Sequence, residues 1–362
     1  MRARPRDLGL VLGTLPPGPR NTIADVGEVR VGHVTLVEGD GPLVPGKGPV
    51  RTGVTVVVPH RGNVWTDRLK AAWDTINGSG ELTGSLEMRE SGTLPTPIGL
   101  TTTNCVGNVS TGLVHAVLES NPDADAVIPV VSECDDSDLN DARGLHVKPA
   151  HARDALAAAG PDFAHGTVGA GTGMTCCDYK GGIGSASRRI GAQDGGHAVG
   201  ALVVSNFGLR EHLTIAGVPV GRELMRLESG AGRTRSRAKS IVIVLATDAP
   251  LSSRQLGRVA RRAFLGLART GSFSGDGSGD IAIAFSTAQW VPYGAGSEPL
   301  AEVRLPDPRL DPLFLAAVEA TEEAIVDSLF TATTVVGRDG HTARELPLAE
   351  TIDILDRYGR IA

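Results

Sequence analysis

Ser278 stands between Gly277 and Gly279, where the polar, glycine-rich stretch from Ser272 to Asp280 gives way to the apolar run Ile281–Thr287. A hydroxyl flanked by residues without side chains is open to a reacting partner, and the backbone around it can bend as few others can. Two readings compete: a turn before a core strand, or a nucleophile. A serine nucleophile needs a base, an oxyanion donor and a group that holds the substrate. The usual arrangements are missing. Asp276 and Asp280, not glycines, lie two residues away on either side, so there is no Gly-x-Ser-x-Gly elbow. The nine histidines are scattered and none forms His-Glu-x-x-His; His146 and His151, five apart, make a poor metal pair. A Ser-His-Asp triad assembles in space and stays open, although no histidine stands out for it.

One route needs no histidine. If the Gly277–Ser278 bond is cut, Ser278 becomes an N-terminus whose α-amine titrates near pH ~8. That amine can take the hydroxyl proton. The cut can be self-catalysed, the hydroxyl attacking the preceding carbonyl, because Gly277 permits the dihedrals this requires. Asn206, at the end of an apolar run, is a neutral donor of the kind that serves oxyanions; a strand-terminating turn residue is the other reading.

The elements that must position these groups follow from pattern. Ile281, Ile283 and Phe285 fall on one face at period two, with Ala282 and Ala284 on the other. Strands are predicted over Val29–Leu36, Gly53–Val58, Pro97–Thr101, His197–Asn206 and Ile241–Ala246, and the run Ala126–Val131 delivers Ser132-Glu133 at its end. Helices are predicted over Asp67–Ile76, from Asn108 to Leu118, over Ala150–Ala159, from Ser252 or Ser253 to Leu267, and over Asp311–Phe330. Gly78–Gly92 reads as a polar, glycine-rich loop, Gly166–Met174 and Lys180–Arg188 form a second glycine cluster, and Leu227–Ser240 reads as a polar, arginine-rich, mobile linker. Strands early and late with helices grouped between them predict an α+β layered domain, not a doubly wound sheet.

Composition narrows the function. The 362 residues carry 41% hydrophobic residues, 47 glycines and 22 prolines, which supports a sizeable core with many tight turns. The net charge of -6 comes without a long run of one sign, so no nucleic-acid partner is expected. No stretch approaches the ~20 apolar residues of a membrane span, and the start is too short for a signal h-region, so the expectation is a cytoplasmic protein with no membrane partner. Cys105, Cys134, Cys176 and Cys177 lack metal-site spacing and read as buried thiols. Gly169–Gly173 lacks dinucleotide-loop spacing and no Walker A pattern occurs, so no cofactor is expected.

Several stretches, in order and at the right spacing, carry a resemblance. They include Gly13–Pro19, Val29–Thr35, Gly80–Gly84, Gly169–Met174, Lys180–Arg188, Ala246–Leu251, Gly277–Thr287, Ala320–Ala324 and Gly337–Thr342. With them the chain resembles the DmpA/BapA family of N-terminal-nucleophile aminopeptidases, which includes L-aminopeptidase/D-esterases and β-peptidyl aminopeptidases. The resemblance implies a four-layer αββα sandwich formed by a single domain, 1–362, that self-cleaves into an α-chain, 1–277, and a β-chain, 278–362. It implies Ser278 as nucleophile, Asn206 as oxyanion donor, and Glu133 as the carboxylate that receives a free amino group. It also implies Thr321 and Glu323 as a hydroxyl–carboxylate pair orienting the nucleophile, with no cofactor or metal. On an ideal helix Glu323 lies about 200° from Thr321, which makes Glu322 a rival. The expected substrate is a small peptide, amide or ester with a free amino group, and the expected assembly a homotetramer. Cys134 and Asp138 replace the family's usual aromatic residues, predicting a smaller, more acidic pocket, and Thr101–Cys105 departs from its usual run. An acyltransferase of the ornithine-acetyltransferase type and a non-catalytic homologue are the alternatives; that acyltransferase family uses threonine at the hinge, so Ser278 favours hydrolysis.

Overall fold

The computed structural model describes residues 2–227, 239–294, 296 and 298–362; most of the predicted arginine-rich linker therefore lies outside the described residues. The strands are β1 (Arg30–Glu38), β2 (Val50–Val58), β3 (Asp67–Gly78), β4 (Thr93–Leu94), β5 (Ile98–Thr101), β6 (Val130–Glu133), β7 (Thr175–Cys176), β8 (Tyr179–Lys180), β9 (Gly182–Arg189), β10 (Ala198–Asn206), β11 (Lys239–Thr247) and β12 (Ser278–Pro292). A four-stranded sheet has the order β1-β2-β5-β6, and a six-stranded sheet the order β4-β3-β12-β11-β10-β9. The pairs β5/β6 and β11/β12 are parallel; the other pairs in these two sheets are antiparallel. The helices are α1 (Ser85–Ser91), α2 (Val106–Ser120), α3 (Pro149–Ala157), α4 (Val220–Leu227), α5 (Ser253–Arg269), α6 (Asp311–Thr331) and α7 (Leu348–Arg357).

Three apolar layers separate four layers of backbone. Val54, Val56, Val109 and Leu113 fill the space between the four-stranded sheet and α2/α3. Val57, Leu100, Leu202, Val244, Ile283 and Phe285 lie between the two sheets. Ala201, Ile243, Ala282, Ala284, Leu256, Ala260 and Ile325 join the six-stranded sheet to α5 and α6. The alternation read along β12 is the reason: Ile281, Ile283 and Phe285 face the other sheet, while the small Ala282 and Ala284 let the helices approach. This is the αββα sandwich.

Local chemistry fixes the helix ends and seats. Ser252 caps α5 through a capping box with Gln255, worth about 0.5–2 kcal/mol. α6 lies directly on β9 at Gly184, where a Cβ would come within 1.9 Å of the Ala324 carbonyl oxygen.

Two assignments are corrected. Asp67–Ile76 is not a helix but the body of β3, because Leu69, Ala71 and Trp73 line the inter-sheet core while Ala72 packs on the helix side. That is period two, imposed by pairing with β12 and β4. Within the glycine-rich stretches, Gly182–Arg189 forms β9 and Ser85–Ser91 forms α1. In β9, Gly182 and Gly184 allow close backbone packing.

Candidate active site

The chain enters β12 through a tight turn. The Ser278 N–H donates to the Gly275 carbonyl at 3.1 Å, and Gly277 holds φ at +80°, the left-handed region where only glycine is unstrained. Asn77, from neighbouring β3, donates to the Gly275 carbonyl at 2.7 Å, and the Ser79 N–H donates to the Ser278 carbonyl at 3.2 Å. The bond between Gly277 and Ser278 is thus clamped from β3. Sheet register then places Asn206, Ser240 and Gly279 in one row across β10, β11 and β12. The Gly279 N–H donates to Ser240 Oγ at 3.2 Å.

Beside this row opens a cavity of about 770 Å³, lined among others by Gly80, Glu133, Asp135, Ser240 and Gly277, with Arg143 and Arg338 also in its wall. Glu133 ends β6 and is buried. One of its oxygens accepts from the Glu81 N–H at 3.1 Å and the other from the Thr103 hydroxyl. Burial pushes the Glu133 carboxyl above its ordinary range, and the two hydrogen bonds only partly offset this. A buried carboxylate at a cavity wall, with no cation paired to it among the described residues, is suited to an incoming ammonium group. Thr103, whose surroundings the sequence left undefined, is what orients it.

Asn206 is also buried, and its amide is committed: Oδ1 accepts from the Thr175 N–H at 2.8 Å and Nδ2 donates to the Asp135 carbonyl at 2.8 Å. One N–H of that amide remains available as a donor.

Ser278 does not hydrogen-bond to Asn206, Thr321 or Glu323. Its Oγ donates to Asp280 Oδ1 at 2.6 Å. Asp280 is fully buried, and burial raises its carboxyl above the ordinary range against the lowering effect of its bonds with Ser278 and Ser274. Asp280 was not among the residues singled out from sequence. The available signal was its spacing, two residues after the serine on the same strand face.

Thr321 faces α5, close to Gly266, and its buried Oγ1 has no hydrogen-bond partner among the described residues. Glu323 lies in a buried cationic cluster. Arg188 Nη2 donates to it at 2.6 Å, Arg6 Nε and Nη2 each at 2.8 Å, and Asn21 Nδ2 at 2.5 Å. Glu322, its rival, pairs with Arg269 at 3.0 Å. Neither carboxylate touches Ser278. Cys134 and Asp138 do not shape the cavity as expected: the Cys134 side chain belongs to the inter-sheet core, and the acidic wall is made by Glu81, Glu133, Asp135 and Asp141. Among the described residues no group of three or more His, Cys, Asp or Glu is placed to hold a metal ion, and no helix is long and apolar enough to cross a membrane.

Comparison with known proteins shows the family. Residues 21–343 match peptidase family S58. The chain is 42% identical to a beta-peptidyl aminopeptidase BapA of Sphingosinicella microcystinivorans, over 99% of this chain and 93% of that protein. Among solved structures it superposes on the PH0078 protein of Pyrococcus horikoshii with a TM-score of 0.94, 49% identity and coverage of 99% and 100% of the two chains. It superposes on the L-aminopeptidase D-Ala-esterase/amidase of Ochrobactrum anthropi with a TM-score of 0.91 and 37% identity, covering 99% of each chain.

Proposed function

This chain belongs to peptidase family S58 and is an aminopeptidase of the DmpA/BapA type, and on that premise we propose that it is a self-processing serine hydrolase whose nucleophile is Ser278. The observation that carries the reading is the placement of Ser278. It follows a glycine in the left-handed region, its hydroxyl is held by a buried carboxylate, and its scissile bond borders the cavity that contains Glu133.

In this reading the Ser278 hydroxyl first cuts the bond to Gly277, giving an α-chain, 1–277, and a β-chain, 278–362. The new α-amine of Ser278 then serves as base for the same hydroxyl. Thr321 Oγ1 and Asp280 Oδ2, both buried without a hydrogen-bond partner among the described residues, are open acceptors for that amine in the layer between the sheet and the helices. The cluster of Glu323 with Arg188 and Arg6 fixes α6, which carries Thr321. Asn206 supplies an N–H to the oxyanion, and Glu133 binds the ammonium of a small peptide, amide or ester. Attack by Ser278 on the substrate carbonyl gives an acyl-enzyme, which water resolves.

Intact-mass measurement tests this. Wild-type protein is expected as two fragments divided after Gly277, and Ser278→Ala as one uncut chain without aminopeptidase activity. A Ser278→Ala protein that still matures at Gly277 overturns it.

A further inference from the structure

The proposed amine base does not exist until the chain has been cut, so the cutting step needs another proton acceptor. No histidine is hydrogen-bonded to Ser278; the partner of its hydroxyl is Asp280, at 2.6 Å. Resting on the self-cleavage reading above, we propose that Asp280 is the catalytic base of cleavage at Gly277–Ser278.

Geometry supports the assignment. β12 pairs with β11 without interruption from Ser278 to Ser286, so Ser278 and Asp280 share a strand face with Ala282 and Ala284, the face covered by the helices. Gly279 points the other way: a Cβ there would approach the backbone of Ser79 and Gly80, beside the cavity. Asp280 is fully buried and is not among the residues lining the cavity, whereas Gly277, on the other side of the scissile bond, borders it. Among the described residues the Asp280 carboxylate forms no ion pair and its Oδ2 has no hydrogen-bond partner. Of those residues only the Ser278 and Ser274 hydroxyls bond it, and a buried carboxylate without a cation costs stability. Retaining it there is explained if it handles a proton.

The step balances as follows. Ser278 Oγ bonds to the carbonyl carbon of Gly277 as its proton passes to Asp280 Oδ1 and the carbonyl electron pair moves onto oxygen. The carbonyl re-forms, the C–N bond breaks, and the proton moves from Asp280 to the departing nitrogen. The product is an ester of Gly277 on Ser278 Oγ, with a free α-amine on Ser278. Water then divides the ester, its OH going to the Gly277 carbonyl carbon and its remaining hydrogen to Oγ.

The test is a time course of intact mass after synthesis of wild type, D280N and D280A, with thermal melting of each. D280N buries no charge and keeps an acceptor oxygen for Ser278, so it is expected to fold and to melt at or above the wild-type temperature; D280A leaves the Ser278 hydroxyl without its acceptor and is expected to melt below D280N. Processing is expected to slow at least ~100-fold, within the usual range for loss of a general base. Adding S278C to D280N is expected to restore processing at least ~10-fold, because a thiol ionises near pH ~8.5 without a strong base. A purely structural role would give no such restoration. A wild-type chain that stays intact overturns the self-cleavage reading and this inference with it. A wild-type chain that is cut, with D280N or D280A cut within threefold of its rate, or with no gain from S278C, overturns the inference alone.

Discussion

Replacing Glu133 by Gln removes one charge at the cavity wall while leaving volume and hydrogen bonding in place. The Gln carbonyl can keep the Glu81 N–H, and its amide can donate to the Thr103 hydroxyl, which is free to turn. Folding should therefore survive. What is lost is a charge-assisted bond to the substrate ammonium, worth about 1.5–3 kcal/mol in a buried setting. At 1.4 kcal/mol per factor of ten, kcat/KM for a substrate with a free amino end should fall about 10- to 150-fold. The N-acetylated form of the same substrate, which has no ammonium to lose, should be turned over equally poorly by both proteins. Because burial raises the Glu133 carboxyl, wild-type KM should climb as the pH falls through that elevated value, and the variant should lack this inflection. For stability the sign is opposite: a carboxyl raised by burial favours the fold below its unfolded value and loses that contribution as pH rises through its folded one. The variant should thus melt no lower than wild type at neutral pH. A Glu133→Gln enzyme that loses activity equally on free and acetylated substrates, or loses none, refutes the assignment.

Two further substitutions separate support from chemistry. Glu323→Ala strips Arg188, itself fully buried, of its 2.6 Å partner and leaves it Glu319 at 3.2 Å. Removing one side of such a pair should cost about 3–5 kcal/mol in denaturant unfolding; unchanged stability would show that the cluster does not hold α6. Gly277→Ala adds a Cβ that meets nothing within 4 Å, so its only penalty is the left-handed φ of +80°, about 1–2 kcal/mol. The chain should still fold, but the fragments should appear more slowly by mass spectrometry, and an unchanged processing rate would remove the turn from the mechanism.

By itself the sequence determined what neighbours along the chain can encode. The alternation of β12, the start of α5 at Ser252 or Ser253, the apolar run that delivers Glu133, and the glycine-flanked Ser278 were all legible, because period and turn chemistry act over a few residues. Together with the recurring stretches of the family they led to the αββα sandwich. The tertiary structure alone decided β3 and β9, whose strand state comes from pairing partners distant in sequence, Ile283 with Trp73 and Val203 with Gly184. It also decided which carboxylate does what. Glu323 meets Arg6 and Asn21 from 317 and 302 residues away, and this removes it from direct contact with the serine. Asp280, two residues from Ser278, is left buried with one oxygen that has no hydrogen-bond partner among the described residues. A carboxylate's proton affinity depends on what surrounds it in three dimensions, and no spacing along a chain carries that information.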